Sequence, residues 1–246
     1  MQSISQIQAF GMTDTGLRRS LNEDALLIDT SCCCFVVSDG VGGAAAGEIA
    51  SQIFITAVSK IINTAQALSD QKAISAIKET FLQANSNIIE YAGQNPENKG
   101  MACTAELLVI TSGGFVLGHV GDSRTYRYRR NSLIRLTSDH SLVQQQIELG
   151  VITEEEAKKY RYRNVILRAV GTEDSIDVDL IRGKAKSGDI FMLCSDGLTD
   201  MVAETDIAVC LGRNISLEEK VSFLVDLANQ AGGRDNITVI LVVIGQ

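Results

Sequence analysis

Two stretches, IFMLCSDGLTD at residues 190–200 and CCCFVVSDGVGG at residues 32–43, follow one design. Each is an apolar run that meets Ser-Asp-Gly, at Ser38-Asp39-Gly40 and again at Ser195-Asp196-Gly197. Apolar runs this short, bounded by turn residues, read as strands buried on both faces. Each strand then delivers a carboxylate, Asp39 or Asp196, followed by a residue with no side chain.

Outward from these strands the period changes. Residues 48–65 place apolar side chains at 49, 50, 53, 57, 58, 61 and 62, which predicts an amphipathic helix. Residues 71–92 repeat the pattern. Residues 102–111, 114–120, 123–129 and 133–136 read as strands separated by short turns. A polar, helical excursion fills residues 138–171, where Thr153 and Glu156 form a capping box. Residues 176–181 and 190–194 are strands, Ser216 with Glu219 caps a last helix to about Ala231, and residues 237–244 close the chain as an apolar strand. Strands in runs and helices in pairs predict an α+β layered domain with antiparallel sheets.

The totals bound the function. With 246 residues, 45% of them apolar, a single proline and no Ser/Gly-rich linker, one compact domain over residues 1–246 is expected. A net charge of −8 argues against nucleic acid, whose partners cluster Lys and Arg. The one basic cluster, YRYRR at residues 126–130, reads as the solvated face of a strand. No apolar run reaches the ~18 residues of a membrane span, and the first residues lack a signal-peptide pattern. A cytoplasmic protein follows, its six cysteines reduced and packed as small apolar residues.

Acidic residues gather at strand ends: Glu23 and Asp24 before ALLID, then Asp39, Asp122, Asp196 and Asp235. Any one Asp-Gly is an ordinary turn. Carboxylates from five strand ends on one sheet edge, however, would repel and raise each other's pKa unless neutralised. Hard divalent cations, Mg²⁺ or Mn²⁺, take oxygen ligands and resolve that repulsion. Cysteine is too soft for this set, and His119 and His140 are too few for a zinc site and read as structural. After Asp39, Gly40 leaves a backbone carbonyl free to face an ion. The segment Gly40-x-Gly42-x-x-Ala45 also fits a loose dinucleotide fingerprint, but Asp39 would face the pyrophosphate and no acidic strand end follows about twenty residues on.

GLRRSLNED, VVSDGVGGAAAGE, GHVGDSR, LTSDHSL, LCSDGLTD and GGRDNITV, in this order, resemble the signatures of the bacterial metal-dependent serine/threonine protein phosphatases, the PPM family. The resemblance runs from about Gly11 to Val243. It implies a four-layer αββα sandwich, two central antiparallel sheets flanked by paired helices. It also implies hydrolysis of phosphoserine or phosphothreonine by a hydroxide bridging two Mn²⁺ or Mg²⁺ ions, with a third ion in some members. In that frame Asp39 bridges the ions and the Gly40 carbonyl binds one. Asp24, Asp196 and Asp235 complete the pair, with Glu23 nearby. Asp122 falls at the third-ion position and Arg19 at that of the phosphate-binding arginine, while residues 138–171 resemble the flap beside the cleft. Phosphorylated proteins are the implied partners, with a cognate Ser/Thr kinase and its targets, and the chain is expected to be a monomer.

Three departures from the pattern bear on rate. Ala44 stands where the family has the His credited as general acid, with Val41 before it in place of Met. General acid catalysis is typically worth roughly 10²–10⁴-fold. Met101-Ala102-Cys103-Thr104 replaces Met-Gly-Thr-Thr, and Tyr160-Arg161 replaces His-Pro in the flap. Ala44, Tyr160 and Arg161 raise an alternative: a phosphatase-like module that binds phosphoproteins with little or no turnover.

Overall fold

A computed structural model describes residues 7–42, 46–63, 67–157 and 159–245. Two antiparallel sheets form its centre. The first contains β1 (Ile7–Asp14), β7 (Arg124–Arg129), β8 (Ser132–Arg135), β10 (Ile190–Cys194) and β11 (Ile237–Ile244), in the order β1-β11-β10-β7-β8. The second contains β2 (Asp24–Asp29), β3 (Cys34–Val41), β5 (Ala105–Thr111), β6 (Gly114–Val120) and β9 (Asp179–Gly183), in the order β2-β3-β5-β6-β9, with the short β4 (Ala102–Cys103) paired to β3.

Alternate residues of each central strand enter different cores, which is why these strands are apolar throughout. Phe35 and Val37 of β3 meet Phe191 and Leu193 of β10 and Ile240 and Val242 of β11 between the sheets. Cys34 and Val36 face the other way and pack under α1 (Gly47–Ile61) and α2 (Asp70–Gln94). Met192 and Cys194 of β10 pack under α5 (Asp196–Thr199), α6 (Glu204–Leu211) and α7 (Leu217–Gln230). Three cores between four layers give the αββα sandwich.

Local chemistry sets the ends of several elements. The Ser216 hydroxyl accepts from the Glu219 amide, and the Glu219 carboxylate accepts from the Ser216 amide, closing the expected box on α7. Thr153 and Glu156 do the same for α4 (Glu154–Ala157), which follows α3 (Leu142–Glu148) in the excursion at residues 138–171.

Several expectations need correction. The described residues open with a strand, β1, that the residue pattern does not announce. Its burial is mixed along its length because it lies at a sheet edge, beside β11 alone. Helix α1 ends at Ile61 rather than near 65, and residues 64–66 lie outside the described residues. The strand expected at 176–181 is β9, at Asp179–Gly183. YRYRR is not a solvated face: Tyr126 and Tyr128 are buried, the Tyr126 hydroxyl donates to Glu204 at 2.9 Å, and Arg129 Nη2 donates to Asp189 at 2.6 Å. Its last residue, Arg130, forms the β7–β8 hairpin turn with Asn131, both at positive φ, the two-residue geometry that follows strand twist. Of the cysteine run, Cys32 and Cys33 form the turn before β3, Cys33 at φ 56°, and only Cys34 enters the strand. All six cysteines are buried free thiols.

Candidate metal centre

The two Ser-Asp-Gly segments meet at one end of the space between the sheets. Asp24 opens β2 directly opposite Asp39 on β3. From the other sheet, Ser195 Oγ donates to Asp24 Oδ2 at 2.8 Å and Thr238 Oγ1 donates to the same oxygen at 2.6 Å. Thr238 in turn shares a 2.7 Å bond with Thr13, which accepts from Asn22. A chain of hydroxyls therefore fixes Asp24 and spans both sheets. On the second strand, the Asp39 amide donates to Thr104 Oγ1 at 3.0 Å, the Thr104 amide donates to the Asp39 carbonyl at 2.8 Å, and Ser38 Oγ donates to the Thr104 carbonyl. The serine of each Ser-Asp-Gly thus holds the frame around the carboxylates.

The glycines have a steric reason. A Cβ on Gly40 would lie 2.1 Å from the Gly47 carbonyl oxygen at the start of α1, and one on Gly197 would lie 1.9 Å from the Asn236 carbonyl oxygen. Each lets a neighbouring backbone touch the strand end that carries the carboxylate. Gly40 also donates to the Glu23 carbonyl at 3.2 Å, and the Gly47 amide donates to Glu23 Oε1 at 3.2 Å, so Glu23 sits at the N-terminus of α1.

Electrostatically the end of the cleft is loaded. Burial raises the Asp39 carboxyl well above the usual carboxylate range, and Asp24, Asp196, Asp122 and Asp235 push it further. Asp196, the first residue of α5, is raised in the same way, by burial and then by Asp122, Asp200, Asp235 and Asp24. Burial lifts Asp24 to about 6 against its two hydroxyl donors. Asp122 is lifted to about 7, by burial and by Asp139. Asp24 Oδ1 and Asp122 Oδ1 are buried with no hydrogen-bond partner. Orphaned buried oxygens among mutually repelling carboxylates fit a bound cation.

The donor set fits hard divalent cations, since it is all oxygen and the buried thiols stand outside it. Among the described residues no three acidic side chains chelate one ion by themselves.

Arg19 stands at the rim. Its Nη2 donates to Asp235 Oδ2 at 2.7 Å; this bond, more than the charges of Asp235, Glu23 and Asp39, raises its pKa. Asn236 anchors the loop behind it, donating to the carbonyls of Thr15 and Leu21 and accepting from the Glu23 amide. All the expected carboxylates, Gly40 and Arg19 are therefore gathered in one place. The residue pattern missed Asp200, which faces Asp196 and pairs with Arg163 at 3.7 Å, and it missed the supports Ser195, Thr104, Asn236 and Thr238. Asp200 closes LCSDGLTD and Asn236 and Thr238 lie in GGRDNITV, so the signal was adjacency to a chosen carboxylate. Ala44 lies outside the described residues. Cys103 of the altered Met-Ala-Cys-Thr segment is buried opposite Gly40, and burial pushes its thiol up to about 12, leaving it an inert packing group.

A carboxylate-rich end to an αββα sandwich defines a class, the metal-dependent phosphatases, and comparison with known proteins agrees. The family model for protein phosphatase 2C matches residues 17–239. The serine/threonine phosphatase stp of Listeria welshimeri is 36% identical over 208 residues, 84% of this chain and 82% of that protein. The solved serine/threonine phosphatase of S. agalactiae superposes with a TM-score of 0.90 at 34% identity, covering 97% of this chain and 99% of that one. The catalytic domain of PstP, solved in complex with two manganese ions, gives 0.87 at 32% identity over 98% and 99% of the two chains. The chain belongs to the protein phosphatase 2C family. It is a phosphoprotein phosphatase, a metal-dependent serine/threonine hydrolase, and nothing in these findings supports the alternative of a binding module without turnover. Among the described residues no helix is long and apolar enough to cross a membrane.

Proposed function

We propose that this phosphatase hydrolyses phosphoserine and phosphothreonine in proteins at the cleft end built by Asp24, Asp39, Asp122, Asp196 and Asp235. The buried, mutually repelling carboxylates with orphaned oxygens on Asp24 and Asp122 carry the reading. Asp39, Asp24, Asp196, Asp235 and the Gly40 carbonyl would hold two Mn²⁺ or Mg²⁺ ions, and Asp122 with Asp196 would hold a third. When bound, such ions supply an acidified water as nucleophile and a positive clamp on the phosphoryl oxygens.

The chain's own groups do the rest. Arg19 presents a guanidinium fork that binds two phosphoryl oxygens once it shares or releases Asp235. The hydroxyl chain from Asn22 to Asp24 keeps that carboxylate in one orientation, so no reorganisation is needed during reaction. The excursion at residues 138–171 serves as a flap beside the cleft, with Arg163 reaching Asp200. One domain over residues 1–246 contains the whole site. The six free thiols suit a reducing compartment, the cytoplasm, where a cognate Ser/Thr kinase and its targets are the natural substrates.

Phosphate release from a phosphothreonine peptide and from p-nitrophenyl phosphate, with and without Mn²⁺, tests the reading. Wild type turns over both only with metal, and the Asp39→Asn, Asp196→Asn double variant turns over neither. Equal rates for the two proteins refute it.

A further inference from the structure

Asp122 lies on the turn between β6 and β7, and both flanks of that turn are held by two consecutive residues at the base of the 138–171 excursion. His140 grips Gly121 twice: its backbone amide donates to the Gly121 carbonyl at 2.7 Å, and its ring Nδ1 accepts from the Gly121 amide at 3.1 Å. Asp139 takes the other flank, accepting from Arg124 Nε at 3.1 Å and Nη2 at 2.7 Å, with Arg135 on its second side. Ser123, between them, bonds Thr104 at 2.7 Å. The carbonyl of His140 accepts from the Leu167 amide at 2.7 Å, where the excursion returns.

We propose that Asp139 and His140 are positioning residues for Asp122: they fix the turn that aims its carboxylate into the acidic cluster, and they tie that turn to both ends of the flap. The proposal rests on the reading of Asp122 as a metal ligand. It requires one tautomer. Nδ1 of His140 is a bare acceptor, because it takes the Gly121 N–H. Its Nε2 carries the proton and donates to Asp179 Oδ2 at 3.2 Å; Arg168 Nη1 donates to the other Asp179 oxygen at 2.9 Å and also lies 3.2 Å from Nε2, which in this tautomer does not accept from it.

The neighbouring ring favours a neutral His140. His119 lies with its centroid 4.5 Å from that of His140. Its Nε2 donates to the Ser138 carbonyl at 2.8 Å, and its Nδ1 pairs with Glu106 Oε1, a carboxyl that burial itself pushes up. Thr125, from the other sheet, donates to the second Glu106 oxygen. Burial works against a charge on His119, but Glu106 overrides it and raises its pKa; burial and then the His119 charge lower that of His140. One histidine thus pins the flap base at Ser138, and the other pins Gly121.

Mn²⁺ alone is the probe, titrated into the full chain and followed by the paramagnetic resonance of the free ion. Wild type is compared with Asp122→Asn, His140→Phe and His140→Asn. His140→Phe is expected to weaken the site that Asp122→Asn weakens, by about 10–100-fold, as is usual when a ligand's supporting partner is removed. The tighter sites stay unchanged. His140→Asn, whose Oδ1 can accept from Gly121, keeps wild-type binding. If Asp122→Asn loses a site and His140→Phe does not, the proposal is overturned and the metal centre stands. If Asp122→Asn binds as wild type does, the ligand reading falls, and this proposal with it. Should His140→Phe not fold, ¹⁵N resonances of the wild-type ring decide: an Nε2–H tautomer is expected, and an Nδ1–H tautomer or an imidazolium at neutral pH overturns the proposal.

Discussion

Asp39 is surrounded by Asp24, Asp196, Asp122 and Asp235, all of which make its ionisation harder. Two effects of opposite sign follow for Asp39→Asn. Turnover with Mn²⁺ should fall by about 10²–10³-fold, the size of losing one electrostatic contact to a transition state. Yet the chelated variant should melt a few degrees higher than the chelated wild type, roughly the shift that about 1 kcal/mol produces in a domain of this size, because folding no longer buries a carboxyl whose pKa it must push up. Steady-state kinetics and a thermal scan in EDTA check the two. For Arg19→Ala, KM for a phosphopeptide should rise about tenfold or more with a smaller change in kcat, since a charge-assisted bidentate contact is worth a decade or two of affinity. Ala44, where the resemblance expects a general acid, makes Ala44→His informative. Its kcat on a phosphoserine peptide should rise more than on p-nitrophenyl phosphate, whose leaving group needs little protonation; equal gains contradict that account. At this scale the carboxylates were legible in the sequence because their charge is expensive to crowd. The hydroxyls and amides that orient them, Ser195, Thr238 and Asn236, were not, because their letters are common in any turn.

Elements were legible where burial was unambiguous. β10 and β11 lie between two cores, so their apolar runs are continuous and bounded by turn residues. β1 was missed because its edge position leaves a mixed pattern, and the tyrosines of β7 were misread because the arginines between them dominate the composition. The sequence assigns Gly40 a role through its carbonyl; the structure adds a steric reason at Gly40 and Gly197 alike, the close approach of a neighbouring backbone. Gly197→Ala should therefore cost about 3 kcal/mol or more, since its Cβ would overlap the backbone of Asn236 and no side chain can move aside. Ser216→Ala, which removes half of the α7 capping box, should cost about 1 kcal/mol and leave turnover unchanged. Denaturant unfolding of both variants separates the predictions.

The whole molecule explains why the site is where it is. Each sheet alone would leave its acidic strand ends in solvent; packed together they enclose carboxylates from both, and hydroxyls from the first sheet reach Asp24 in the second. The resulting strain has a pH signature. In the metal-free protein Asp24 titrates near 6 and Asp122 near 7, above their unfolded values. Between about pH 4 and 7 the folded state then binds more protons than the unfolded chain, so stability from these groups falls as pH rises. The melting temperature in EDTA should decline across that window. With Mn²⁺ the decline should vanish or reverse, because bound ions favour the ionised carboxylates. The most direct test of the central claim is anomalous diffraction at the manganese edge from crystals soaked in Mn²⁺. Two strong peaks about 4 Å apart, flanking Asp39 and bordered by Asp24, Asp196 and Asp235, are predicted. A map with no peak there, and Asp39 and Asp196 turned apart, contradicts it.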